Sequence, residues 1–529
     1  MKFQKILFLS IISISLFLTS CENESSLKED AIINIPANSS SVSAINIKSL
    51  MDKADFKSMQ KMSFYQDFIL NVSRGNPGLE TVLNDPYASG VNLDANVYLV
   101  QEVDIMNPES AFTGVVASIS DKAAFKNLLA SNTKNDNQFI AGEGFEYIEV
   151  DRKTIVAIND DIVVLGIGQG EESNLKFGIE SIFKTTKETS IIGNKDVKKC
   201  FSKKADITSW FSSNKMAEAA KGKMGMAGFI ISPTMLTENY SHIYINFEKE
   251  AIVSEFNYDL NGKLSDEFKH VFKDQVKTDF SEFIAAEDLI FALTGALDMK
   301  GVNMILTNKS MTGMVDISLK QFGLTTEELS KTIDGDFLIT SHANSESESP
   351  KMLMAVKIND MDIFQKIIDL GKEYEMIEDA GDRLYKMSGL MASADDMPIF
   401  YVTDGMLFIG DENSTIPALQ SGEYANNGFV SKNVTNIFSK NILGGFVDFQ
   451  NIGNYMDEVG IDFNAMKNMT MEMKRDNGIL KINMTDENKN KNMIDIVYCI
   501  IRHIAHKYTN NKTFQNSQSM AAYRYKYTI

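Results

Sequence analysis

VVASISDKAAFKNLL, from Val115 to Leu129, recurs in altered form as MAVKINDMDIFQKII, from Met354 to Ile368. Each reads as a strand followed by a helix, because an alternating apolar run gives way to apolar residues at helical spacing. Ile119, Asp121 and Phe125 fall on Ile358, Asp360 and Phe364 without a gap. Further on, IVAINDDIVVLG from Ile155 lies over IFYVTDGMLFIG from Ile399, with Ile155, Asp160 and Gly166 on Ile399, Asp404 and Gly410. Two blocks in nearly the same register predict a duplicated unit whose loops have drifted apart. The fold expected is α+β, internally duplicated, with mainly antiparallel sheets and helices packed on them. Strand pairs with helices between them argue for that class over a doubly wound sheet.

Working outward, Val42–Ile47 alternates as a strand, and Lys48–Met62 follows at helical spacing. Ser120 is expected as the N-cap of the first-copy helix and Asn359 as that of the second, with Asp121 favouring the helix dipole. Trp210 falls in a passage from strand to helix, and His242–Phe247 with Ile252–Tyr258 forms an alternating hairpin. In the second half Leu289–Leu297 corresponds to the opening strand, Asp404-Gly405 signals a tight hairpin, and Met469–Met473 pairs with Ile479–Met484. The expected organisation is residues 1–20 as a lipoprotein signal peptide, 21–34 as a flexible tether, 35–285 as the first half, 286–490 as the second, and 491–529 as a divergent basic tail.

Composition narrows the class. The 529 residues are 44% hydrophobic and 23% charged, enough to bury a sizeable core. The net charge of -19 leaves no basic footprint for nucleic acid before the tail. Three cysteines, Cys21, Cys200 and Cys499, are too few for a disulfide framework. The 29 methionines mostly alternate with other apolar residues and read as core filler.

Lys2 and Lys5 precede an apolar run from Ile6 to Leu18, too short for a comfortable membrane span and suited to the core of a secretory signal. It ends in Leu18-Thr19-Ser20-Cys21, which resembles the bacterial lipobox. Cys21 is therefore the expected lipid attachment site, and its acyl chains would hold the protein stably on a membrane. Glu22 and Glu24 resemble the surface-export signals of Bacteroidetes lipoproteins.

With NDPYASGVNLDANVYLV (Asn84–Val100) and IPANSSSVSAINIKSLMDKA (Ile35–Ala54) added to that anchor, the chain resembles the Bacteroidetes lipoprotein family called domain of unknown function 4836. The resemblance covers most of the chain to about Thr485. It implies a lipoprotein with an Ile-Pro-Ala strand near the anchor, and it brings no substrate, cofactor or catalytic residue. From Met493 onward acidic residues nearly vanish. The tail is either a divergent extension or a shifted reading frame.

No constellation of catalytic residues emerges. Cys499, His503 and His506 share one helical face at zinc-ligand spacing, but no fourth ligand lies near them. Gly166-x-Gly168-x-Gly170 follows a strand, but the spacing departs from a dinucleotide fingerprint and Glu171-Glu172 sets negative charge where a pyrophosphate would sit. Gly222, Gly225 and Gly228 lack the residue order of a phosphate loop. Asp160-Asp161 and Asp395-Asp396 read as solvated turns, and His242, His270 and His342 as isolated surface or hairpin residues. No cofactor is expected. The function expected is a lipid-anchored cell-envelope protein acting as a non-catalytic binding or assembly module with an envelope protein partner. It would lie on the outer membrane, on its periplasmic or surface face. Two alternatives stay open: an envelope hydrolase with an acidic site between the halves, and a glycan-capture lipoprotein using the tyrosines.

Overall fold

The computed structural model describes residues 31–485 apart from 63–64, 67–68, 71–72, 74–76, 103–111, 133–137, 152, 169–171, 215–236, 285–287, 308–318, 344–349, 388–398, 411–414, 423–431 and 457–464. The lipobox with Cys21, the glycines from Gly222 to Gly228, Asp395-Asp396, and the tail with Cys499, His503 and His506 lie outside the described residues. The chain forms two compact units. One runs to Phe247 and takes back Val253–Asp266; the other comprises Glu248–Ile252 and the chain from Glu267.

The first unit is built on β1 (Ser41–Ile45), β2 (Val97–Glu102), β3 (Phe112–Ser118), β4 (Ile140–Ala141), β5 (Glu146–Asp151), β6 (Thr154–Ile158), β7 (Ile162–Gly168), β8 (Ile207–Ser212), β9 (Tyr240–Phe247) and β10 (Ala251–Asp259). Their order across the sheet is β4-β5-β6-β7-β3-β2-β1-β8-β9-β10. β1 lies in the middle, with Val42 opposite Val100 on one side and Trp210 on the other. That position explains its apolar alternation, since Val42 and Ala44 are buried with Tyr98, Val116, Ile155, Val164 and Trp210 in one core. The Glu172–Lys184 helix lays Leu175, Ile179 and Ile182 on this core. Gly166 permits the approach, because a Cβ there would lie 2.8 Å from the Ile179 side chain. Gly166 thus serves close helix-on-strand packing, whereas a Cβ at Gly168 would meet Leu175 only at an ordinary contact distance of 3.5 Å.

The second unit is built on β11 (Leu289–Ala296), β12 (Ile333–His342), β13 (Lys351–Ile358), β14 (Ile377–Gly381), β15 (Leu384–Met387), β16 (Ile399–Thr403), β17 (Met406–Gly410), β18 (Leu443–Asp448), β19 (Met466–Met473) and β20 (Asn477–Met484). Their order is β14-β15-β16-β17-β13-β12-β11-β18-β19-β20, the order of the first unit strand for strand. Register agrees as well. Val116 faces Val164 as Ala355 faces Phe408, and Ile155 faces Gly166 as Ile399 faces Gly410. Those are the residues that the two sequence blocks align. Antiparallel pairing throughout these ladders, with helices between strands, is the α+β class expected. At the Asp404-Gly405 hairpin both residues take positive φ, 49° and 75°.

Several local expectations need correction. Ala31–Asn34, assigned to the tether, is a 3-10 turn with Ala31 and Ile32 buried. Ile35 fixes it through its carbonyl, which accepts from the Ile191 amide at 2.8 Å. The helix caps sit one residue later than expected. Asp121, not Ser120, accepts from the Ala124 amide at 2.9 Å, while the Ser120 hydroxyl donates to the Gly90 carbonyl. Asp360, not Asn359, accepts from Asp362 and Ile363, while the Asn359 amide donates to the Lys331 carbonyl. In each unit the carboxylate takes the orphan helix amides, and the residue before it is drawn off by a neighbouring carbonyl. The Ser89-Gly90-Val91 motif has a conformational reason: Gly90 adopts φ 78°, and a Cβ there would lie 2.2 Å from the Asp121 carbonyl oxygen.

Candidate functional site

The Lys195–Phe201 helix opens on Asn194, whose side chain accepts from the Asp196 amide at 2.8 Å. This cap leaves the Asp196 carboxylate available to the sheet. On that sheet Trp210 of β8 is paired directly with His242 of β9. Both reach the same oxygen: Trp210 Nε1 donates to Asp196 Oδ2 at 2.8 Å, and His242 Nε2 lies 2.8 Å from it. Asp259 closes the group from the end of β10. Ligand atoms of Asp196, His242 and Asp259 all lie within 4.8 Å of one another. Lys199, on the same helix as Asp196, forms an ion pair with Asp259.

The electrostatics follow from this crowding. Burial alone would raise the Asp259 carboxyl, but hydrogen bonds from Lys199 and Asp196, with the charge of Lys199, outweigh it and hold Asp259 below the ordinary carboxylate value. Burial pushes the Cys200 thiol up to about 12 despite a hydrogen bond with Tyr244. Burial also raises the Tyr244 phenol. Cys200 is a free, buried cysteine whose Sγ lies 3.6 Å from the Ser209 carbonyl oxygen, which makes it an inert core thiol. The His242–Asp196 pair has the form of a base and its orienting acid. The imidazole Nε2 is turned to Asp196 at 2.8 Å. What the arrangement does offer is a convergence of two carboxylate oxygens and an imidazole nitrogen within 4.8 Å, donors suited to a cation.

Two other buried carboxylates act as pins. Asp206, 1% exposed, accepts from Lys53 Nζ at 2.7 Å, from the Phe247 amide at 2.7 Å, and from the Ser49 hydroxyl. Asp336, wholly buried, accepts from Lys273 Nζ at 2.8 Å and from the amides of Lys277 and Thr278 at 2.8 Å. Burial would raise the Asp336 carboxyl, but Lys273 and the two amides hold it below the usual range. Each pin joins segments distant in sequence and saturates its own acceptors, so neither presents a site.

Of the residues named from sequence, His242 is corrected most. It lies in the hairpin strand β9 as expected, but it is 1% exposed and hydrogen-bonded in the cluster rather than isolated. His342 is also buried, on β12, and His270 is exposed at a helix end. Asp160 is solvated as expected, paired with Lys122 at 2.9 Å. Asp196 and Asp259 were not found from sequence, since they meet His242 only through strand pairing and a helix crossing.

An α+β protein with antiparallel sheets that carries, among the described residues, a partly buried acid–imidazole cluster is the class defined so far. The chain belongs to the family described as "Domain of unknown function (DUF4836)", whose model matches residues 32–427. No curated protein matches it. Among solved structures it is similar to TP0453 in crystal form I, at 9% identity and TM-score 0.25, covering 45% of this chain and 81% of that one. Crystal forms III and IV match at 10% and 11% identity with the same TM-score of 0.25, covering 47% and 46% of this chain and 88% and 86% of those. At that level the likeness carries no argument.

Proposed function

We propose that this is a lipid-anchored cell-envelope protein of the Bacteroidetes lipoprotein type, acting as a non-catalytic binding or assembly module on the outer membrane. The observation that carries it is Leu18-Thr19-Ser20-Cys21 at the end of the Ile6–Leu18 apolar run. Acylation of Cys21 holds the folded units at a membrane through a tether of about ten residues. The two units are copies of one ancestral module. Their identical strand order and matched register, together with the Val115 and Met354 sequence blocks, support that descent. A paired module of this kind offers two related surfaces to an envelope partner.

The test is crosslinking of the tagged, acylated protein in intact envelopes, followed by capture and mass spectrometry. A reproducible envelope-protein neighbour is expected. Capture of the bait alone, under conditions that recover known envelope complexes, contradicts an assembly role.

A further inference from the structure

We infer that Asp196, His242 and Asp259 form a binding site for a first-row divalent metal ion such as Zn²⁺. The inference does not depend on the lipid anchor or on a protein partner.

Three observations carry it. The donor atoms converge, within 4.8 Å of one another, from three separate elements: the Lys195–Phe201 helix, β9 and β10. The donor set is one imidazole nitrogen and two carboxylate oxygens, which suits zinc or its neighbours and falls short of the six to eight oxygens that Ca²⁺ takes. The surroundings are also those of a metal site: Trp210 Nε1 steadies the Asp196 carboxylate at 2.8 Å, as hydrogen bonds around metal ligands do.

Asp196 and Asp259 share a hydrogen bond beside the buried imidazole, and a divalent cation would take the place of the proton between them. Lys199 supplies positive charge only from the solvent side, through Asp259, and its side chain is 63% exposed. It can swing into water when an ion of twice the charge arrives. Entry is open at the same point, since the Asp259 side chain is 40% exposed while His242 is sealed at 1%. Tetrahedral zinc with ligands at about 2.0–2.2 Å separates ligand atoms by roughly 3.4 Å, so the trio adjusts by about an ångström. On binding, His242 Nε2 presents its lone pair to the ion and any proton shared with Asp196 leaves to solvent. Three protein ligands leave a coordination position for water. The ion would fasten the helix to the β9–β10 hairpin.

The purified full chain provides its own reporter, because Trp210 is the only tryptophan and donates to Asp196. Titration with Co²⁺ is expected to quench Trp210 emission with a one-to-one endpoint and to produce a visible ligand-field band, both reversed by Zn²⁺. Asp259→Asn should weaken Co²⁺ binding at least about tenfold, the scale of losing a metal-site partner. Lys199→Met removes the competing ammonium and should tighten binding, which keeps the test decisive if Asp259→Asn folds poorly. Replacing Cys499, His503 and His506 together should leave the Trp210 signal unchanged. Absence of Trp210 quenching at stoichiometric Co²⁺, unchanged binding in Asp259→Asn, or weaker binding in Lys199→Met would overturn the assignment.

Discussion

Replacing Asp206 with alanine should weaken the first unit by about 3 kcal/mol, and the magnitude can be built from its contacts. The side chain is 1% exposed and accepts from the Lys53 ammonium, the Phe247 amide and the Ser49 hydroxyl. Removing one partner of a buried ion pair typically costs about 3–5 kcal/mol, because the remaining charge is left without compensation. The Lys53 side chain is 29% exposed and can turn to water, which places the loss at the lower end. The Phe247 amide has no such escape, and the buried donor it leaves unsatisfied, worth about 1–3 kcal/mol, makes up part of that loss rather than adding to it. Asp206→Asn keeps an oxygen for that amide and loses only the charge, so it should cost about half as much. Lys53→Met combined with Asp206→Asn should cost less than the sum of the two by at least about 1 kcal/mol, as contacting partners do. Urea unfolding followed by Trp210 emission isolates this unit, since no other tryptophan contributes. With a slope of about 3 kcal/mol per molar, the midpoint of Asp206→Ala should fall by about 1 M urea. A loss below about 1 kcal/mol, or strict additivity with Lys53→Met, would refute the pin.

Other perturbations follow from the same geometry. Asp336 sits below its ordinary carboxyl value of 3.8, so its contribution to the second unit is present above about pH 4 and lost as pH falls through the lower folded value. Hydrogen exchange in β12 should therefore show Asp336→Asn less protected than wild type at pH 7, with the difference shrinking below pH 4. Gly90→Ala forces a Cβ to within 2.2 Å of the Asp121 carbonyl at positive φ and should cost about 2 kcal/mol or more, read by Trp210 in urea. Cys200, with its thiol at about 12, should resist iodoacetamide at pH 8 in the native protein and react only on unfolding, as judged by peptide mass spectrometry.

Strand alternation made much of the α+β architecture legible, because similar alternating runs occur in both halves of the chain. The blocks at Val115 and Met354 predicted strands and a shared register between the two stretches but not which strands pair; in the structure Val116–Val164 and Ala355–Phe408 occupy equivalent ladder sites. The caps were misread by one residue because Ser120 and Asn359 are good capping types, and only the structure shows the Gly90 and Lys331 carbonyls that engage them. The polar cluster was not legible. Asp196 precedes His242 by 46 residues along the chain, and nothing in local spacing links them. His242 was legible as a hairpin residue and Trp210 as part of a strand-to-helix passage, but their pairing depends on β8 and β9 being neighbours across residues 215–236. Buried charge is read from three-dimensional partners, and a one-dimensional pattern counts such residues as exposed by default.

Mass spectrometry of the N-terminal peptide from the membrane-extracted protein tests lipidation at Cys21 most directly. The prediction is a mature chain beginning at Cys21 with its thiol diacylated, and a Cys21→Ser variant that is neither acylated nor retained in the membrane fraction. A mature N-terminus elsewhere, or an unmodified Cys21 thiol in protein recovered from the envelope, would contradict it.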